Sequence, residues 1–438
     1  MKLNTKRTVT VGFAFMSIMA FWQVYDNIVP LILKNTFNIN DTLSGVIMAL
    51  DNILAIFLLP LFGSLSDRVN TRLGKRMPFI LWGTIAACIF SMLLPIADRL
   101  RSLPLFMTAL GLVLLAMATY RSPAVALMPD VTPKPLRSKA NAIINLTGSV
   151  GGILMLLIIG VTVPKTEQPS YIPVYAIMAA FMLICLAVLL IFVREPKLSA
   201  LMREESKQLG EEVETLEAKT EGSHMTPAVK KSFFLILTSI FLWFMGYNAV
   251  TTAFSKYAQV YWGLEGGIFA YTLIVAQGAA IISYIPVGIV SSKIGRRKTI
   301  LGGIVLLTLA FASSVISKSF STMIFFFFVL AGVGWAAINV NSYPMVVEMS
   351  KGADVGKYTG YYYTVSMAAQ IITPILSGAV LEYGYLALGS ANPDAGYVFL
   401  FPYGALFTTL SFVTMLFVKH GDSKALKKKD TIENFDID

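Results

Sequence analysis

The chain has 438 residues, 56% hydrophobic and 14% charged, with a mean hydropathy of +0.69 and a formal net charge of +10. A soluble domain carries about 25% charged residues, so the polar surface needed to cover soluble domains is missing and the composition points to a polytopic membrane protein. Cys88 and Cys185 lie in apolar runs and His224 and His420 in polar segments, which excludes a disulfide framework, a cysteine metal site and any intramembrane histidine relay.

One bilayer crossing takes about 20 apolar residues. Twelve such runs are read along the chain, roughly 9–33, 43–65, 77–97, 104–129, 139–163, 171–193, 232–255, 266–290, 298–316, 319–346, 357–381 and 395–418. In the first, Gln23, Asp26 and Asn27 share one helical face, with Trp22 one turn before Asp26. The second holds Asp51 and the fourth Arg121. A charge at mid-bilayer costs about 2.5–3.5 kcal/mol on insertion scales, so these three groups are functional candidates. With no histidine in the spans, Asp26 and Asp51 are the expected proton carriers. Arg121 is their counter-charge, or a fork for substrate hydroxyls or a carboxylate. At about 1.5 Å per residue, the aspartates fall outside the midplane and Arg121 inside it. A relay is therefore expected, and a fixed Asp26–Arg121 ion pair is not.

The loop after the second run reads Gly63, Ser66-Asp67-Arg68, then Arg72-Leu73-Gly74-Lys75-Arg76, and Asp130 closes the fourth run. Gly148, Gly151 and Gly152 in the fifth suit close helix packing. Segment 194–231 carries seven basic residues against eight glutamates and reads as a solvated linker with some helix. It divides the runs six and six, giving bundles over 1–193 and 232–418 and a tail over 419–438.

In the second half, Trp243, Tyr247 and Thr251 form one helical stripe with Asn248 beside it. Gln277 and Tyr284 lie two turns apart in the eighth run, and Trp335 and Asn339 one turn apart in the tenth. Flat aromatic faces and amides suit a sugar. The candidate substrate set is thus Trp22, Gln23, Asp26, Asn27, Arg121, Trp243, Tyr247, Asn248, Gln277, Trp335 and Asn339. Tyr361, Tyr362 and Tyr363, opening the eleventh run, fit an aromatic belt.

The loop after the eighth run repeats the earlier one: Gly288, Ser292-Lys293, then Gly295-Arg296-Arg297-Lys298, with Glu348 after the tenth run answering Asp130. The chain reads as a duplicated six-helix unit. Of 35 Lys and Arg, 28 fall on the side of the N-terminus and six on the other. The positive-inside rule then puts both termini in the cytoplasm, and topology accounts for the net charge without nucleic acid.

This loop pattern resembles the major facilitator superfamily, whose signature after the second helix is a glycine, an aspartate four residues on with a basic partner, then glycine and basic residues. The resemblance implies an all-α membrane fold: twelve transmembrane helices in two pseudo-symmetric six-helix bundles, working by alternating access around a midplane site. It implies a charged gate of Asp67, Arg68, Arg72, Lys75, Arg76 and Asp130, echoed by Lys293, Arg296, Arg297 and Glu348. The stretch Ser66–Phe79 is similar to the loop of the sucrose-type proton symporters and, more distantly, of the glycoside-pentoside-hexuronide cation symporters. Where melibiose-type sodium symporters carry two acidic residues in the second helix, this chain has Ala55 and Leu59, so that sodium site is not carried over. Plant sucrose carriers place an arginine where Val125 stands; Arg121 lies one turn earlier on the same face.

The expected function is proton-coupled symport of a disaccharide or related glycoside by a monomer in the cell membrane. The proton gradient is its energy source, with neither cofactor nor metal. An exporter or a carrier of an anionic glycoside is the rival within transport. A non-transporting sugar sensor is the rival outside it. No constellation for an enzyme is present.

Overall fold

The structure is a computed structural model that describes residues 4–133, 137–166, 169–208, 227–314, 319–347, 349 and 355–420. Lipid offers backbone groups no hydrogen bonds, so apolar runs close their own as helices. The helices are α1 (Thr5–Asn35), α2 (Asp41–Arg68), α3 (Met77–Arg99), α4 (Leu103–Asp130), α5 (Arg137–Thr162), α6 (Ile172–Phe192), α7 (Glu195–Gln208), α8 (Pro227–Val260), α9 (Phe269–Ile294), α10 (Arg296–Ser314), α11 (Met323–Val347), α12 (Val355–Ala387) and α13 (Leu400–Leu416), the last entered through a 3-10 segment, Pro393–Phe399. Among the described residues the one β contact is an isolated bridge, Thr71 to Gly74.

Among the described residues, eleven helical segments are long and apolar enough to cross a membrane. The ninth expected run is α10, whose 19 described residues open on Arg296-Arg297-Lys298 and so leave a shorter apolar stretch. Large apolar side chains such as Phe57, Trp82, Val161 and Ile282 stand exposed, as they must where the solvent is lipid.

Two compact units emerge. Unit 1 holds the described parts of Met1–Asn40, Ile47–Glu217 and Gly263–Tyr271; unit 2 holds those of Asp41–Val46, Ala218–Trp262 and Thr272–Asp438. These bounds differ from the sequence halves in two short stretches: the first turn of α2 packs in unit 2, and the segment leading into α9 packs in unit 1.

In unit 1, α1 lies on α5. A Cβ on Gly151 would overlap the carbonyl of Met16, so only glycine allows this approach. Tyr120 of α4 is fully buried, and its hydroxyl bonds Ser17 of α1. Cys88 and Cys185 are buried free thiols, as their apolar settings predict. In unit 2, α8 lies on α13 and α12, and α10 on α11. Hydroxyls bridge the helices there: Ser239 to Thr414 at 2.7 Å and Thr308 to Thr408 at 2.8 Å.

Candidate functional site

Unit 1 brings the three intramembrane charges into mutual electrostatic reach. Asp26, Asp51 and Arg121 each keep partial exposure, so none is sealed into packing. Among the described residues no ion pair joins Arg121 to either aspartate. The guanidinium instead lies over the Trp22 ring, 5.3 Å from its centroid, a cation–π contact. One face of Trp22 is therefore taken by Arg121, while its edge-to-face neighbours are Phe21 and Tyr25. Asp51 accepts from Nδ2 of Asn52 at 2.7 Å.

Gln23 and Asn27 meet on one face of α1, as the spacing predicts: Asn27 Nδ2 donates to the Gln23 carbonyl at 2.9 Å and to its Oε1 at 3.3 Å. The other amide atom of Asn27, Oδ1, is buried without a protein partner, as are Trp22 Nε1 and the Tyr25 hydroxyl. Buried polar atoms of this kind are rare and need an explanation. A polar solute supplies one. Tyr25, enclosed beside both aspartates, is a member of this cluster that the sequence reading missed.

In unit 2 the candidate residues divide. Tyr247 of α8 and Trp335 of α11 stack ring on ring, centroids 3.7 Å apart and planes 6° from parallel. The two rings thus cover one face of each other. Trp243 has no exposed surface and belongs to the packing of the unit, whereas Tyr247 and Asn248 remain partly exposed. Asn248 Nδ2 and Gln277 Oε1 are buried and lack protein partners, one a donor and one an acceptor. Asn339 is exposed and hydrogen-bonded to Tyr284.

The basic loop of unit 1 folds around a single arginine. Arg76, 6% exposed, donates from Nε to Asp130 at 2.7 Å, from Nη2 to Asp67, and from Nη1 to Ser66 and to the Gly63 carbonyl. Burial alone pulls its pKa down, but the hydrogen bond and charge of Asp130, with those of Asp67, leave it above the usual arginine value. Arg68, Arg72 and Lys75 are exposed.

Beneath this cluster lies a residue the linker reading passed over. Glu195, the first residue of α7, is 3% exposed and accepts from the backbone N–H groups of Lys75, Arg76 and Met77 at 2.9–3.1 Å. The N-terminus of α3 is a natural seat for a carboxylate. Gly74 makes it possible: its φ is +114°, and a Cβ there would run into the Glu195 carboxylate. At its other end α7 is held by Glu205, which forms a two-pronged pair with Arg7 at 2.9 and 3.2 Å. A cavity of about 340 Å³ lies between α7 and the loop, lined by Asp67, Lys75, Arg76, Asp130, Glu195 and Arg203.

The second copy of the loop differs. Lys293 is exposed, Arg297 donates to the Leu416 carbonyl at 2.6 Å, and Ser291 bonds Asn341. Arg296 is partly exposed. Glu348 lies outside the described residues.

One more charged cluster was not foreseen. Lys256, one residue beyond the seventh expected run, sits inside α8, 4% exposed, and its Nζ lies 2.5 Å from Asp41 Oδ1.

Comparison with known proteins adds the following. The family model for the Major Facilitator Superfamily matches residues 11–284 and 262–434. An MFS-type transporter, ppzB of Metarhizium majus (strain ARSEF 297), is 27% identical over 110 residues. That match covers 25% of this chain and 24% of that protein. Among solved structures, a D-xylose-proton symporter superposes with a TM-score of 0.69 at 13% identity, covering 97% of this chain and 100% of that one. The nucleoside transporter NupG gives 0.68 at 15%, covering 95% and 100%. A POT family transporter in complex with 5-aminolevulinic acid gives 0.67 at 10%, covering 94% and 96%. At such identities these likenesses speak for the fold. The family match, by contrast, runs from the first membrane helix to the last, and by it the chain belongs to the Major Facilitator Superfamily, a family of membrane transporters.

Proposed function

We propose that the chain is a proton-coupled importer of a neutral sugar, a disaccharide or related glycoside, of the sucrose-like branch. It would lie in the cell membrane with both termini cytoplasmic and work as a monomer. The observation that carries this reading is a charge count. The membrane-spanning part of unit 1 gathers two carboxylates, Asp26 and Asp51, around one guanidinium, Arg121. Fully ionised, that set has one negative charge too many; one proton makes it neutral, and a neutral site moves through a low-dielectric state at far lower cost. Proton uptake and a change of state are then one event.

The rest of the recognition set is uncharged, which suits hydroxyls. Asn248 offers a donor and Gln277 an acceptor, and Asn27 a further acceptor. The loop Ser66–Phe79 adds its likeness to the sucrose-type symporters, and a D-xylose-proton symporter is among the structures of similar fold. A second reading, a carrier of an acidic glycoside, is favoured by one observation: Arg121 rests on Trp22 and, among the described residues, forms no ion pair with either aspartate, which leaves its charge for a solute carboxylate.

The deciding experiment is uptake of labelled mono- and disaccharides into proteoliposomes with and without an imposed pH gradient, followed by counterflow against neutral and acidic sugars. Gradient-driven accumulation of a neutral sugar is expected. Asp26→Asn should abolish accumulation while sparing counterflow. Accumulation by Asp26→Asn that still needs the gradient removes Asp26 from the proton role, and counterflow restricted to acidic sugars installs the second reading.

A further inference from the structure

Tyrosine is a poor choice for packing alone. Phenylalanine fills nearly the same volume, and a polar group buried without a partner costs about 1–3 kcal/mol. Unit 1 nevertheless buries Tyr25 of α1 and Tyr175 of α6, 2% and 1% exposed, and leaves both hydroxyls without a protein hydrogen bond. Tyr120, by contrast, shares a hydrogen bond with Ser17.

The two hydroxyls belong to a longer string of neighbours, all within unit 1. Helix α6 packs on both α1 and α3. Tyr25 lies within electrostatic reach of Asp26, Asp51 and Tyr175. One turn before Tyr175, at the entry to α6, Tyr171 is buried with Asn35 beside it, and both tyrosines of this helix lie in reach of Asp98 near the end of α3. Asp98 is itself buried, accepts from Thr36 Oγ1 and faces the charge of Arg101, which is exposed. At the other end, Arg121 of α4 is the cation facing the two aspartates. The string thus begins where α1 and α3 finish and α6 starts, the end that the positive-inside reading puts outside, and it finishes at Asp26 and Asp51.

Eleven residues of α1, from Tyr25 to Thr36, set its length at about 16 Å. Three hydroxyls cover that span only with water between them, and water is what otherwise orphaned buried oxygens bind. Pro30 adds an acceptor at the inner end: having no N–H, it leaves the Asp26 carbonyl outside the hydrogen bonding of α1.

A hydroxyl both donates and accepts. It takes a proton on its oxygen and passes its own to the next oxygen, so each tyrosine and each water ends with the protons it began with. The net change is one proton lost from Asp98, which refills from external water, and one gained by Asp26 or Asp51. A route through the interior has a use. Asp26 keeps part of its surface exposed, and a solute resting there displaces water from that face. A second way in lets the carboxylate load without competing with the solute.

We propose that Tyr171, Tyr175 and Tyr25 carry protons through the interior of unit 1, from Asp98 at its outer end to Asp26 and Asp51. This rests on the proton-coupled reading given above.

The test is the rate at which the two aspartates take up a proton after a drop in pH. It is followed by the infrared C=O band of protonated carboxyl groups, on the full chain in lipid nanodiscs, with Asp26→Asn and Asp51→Asn assigning the band. Tyr175→Phe and Tyr25→Phe should each slow its appearance about tenfold or more and leave its final size at low pH unchanged. Asp98→Asn should slow it as much, and Asp98→Glu should restore it to within about threefold of the parent. Should either phenylalanine variant fail to fold, Tyr171→Phe carries the same expectation. Tyr120→Phe should load like the parent, since its hydroxyl lies off the string. Phenylalanine variants that load at the parent rate, or a Tyr120→Phe as slow as they are, would overturn the passage. A band that never forms in the parent would sink the proton-coupled reading itself, so the two failures are told apart.

Discussion

Arg121 owes its position to shape as well as charge. Its flat guanidinium lies over Trp22, and a lysine there would carry the same charge on a compact, strongly hydrated head that cannot stack in the same way. Arg121→Lys should therefore fold normally yet lower the initial uptake rate at least about tenfold, measured in the proteoliposome assay. The seat of Glu195 gives a sharper test, because it depends on a backbone angle. Gly74→Ala places a Cβ against the carboxylate at a φ that only glycine holds without strain. With Glu195 displaced, α7 should become open to trypsin at Lys197 and Arg203, as it should in Glu195→Gln, while Gly111→Ala, which meets nothing, should digest like the parent. Single residues were legible in the sequence where their setting made them expensive: Asp26, Asp51 and Arg121 stand in apolar runs and announce themselves. Asp41, Lys256 and Glu195 stand near the ends of runs, where charge is ordinary. Only packing shows that they are buried.

At the scale of helices, lipid-phase association rests on close backbone approach, so small residues decide it. Gly151→Val should push α5 off α1 and destabilise unit 1 by about 1–3 kcal/mol, read as a lower unfolding temperature in detergent. Gly111→Ala, with open space around it, should raise stability by about 0.5–1 kcal/mol through helix propensity alone. The existence of the membrane helices followed from run length, and the glycines of the fifth run from their spacing. Helix ends did not follow. The seventh run, read as 232–255, is the heart of α8, which extends to Pro227 and Val260 because polar residues at the ends of a long helix continue its hydrogen bonding. For the same reason Lys256, one residue past the expected run, lies within the helix.

For the molecule as a whole, the repeat and the distribution of basic residues were legible because both are linear features of the chain. The pairing of Tyr247 with Trp335 and of Arg121 with Trp22 was not, since partners far apart in sequence leave no periodic trace. Twelve crossings would return the chain to its starting side. A reporter that fluoresces only in the cytoplasm, fused in turn to each terminus, should therefore shine in both fusions; one bright and one dark would require an odd number of crossings.

The double fastening of α7 also sets a leash. Because Glu195 and Glu205 staple this helix to unit 1, the connection to α8 is counted from Gln208 and not from the end of α6 at Phe192. Residues 209–226, eighteen in number, then join α7 to α8, with a fully drawn-out reach of at most about 60 Å. Only release of both Glu195 and Glu205 would add the 14 residues of α7 to that line, so the length of this connection is governed by two carboxylates, one of them in a ring of backbone amides.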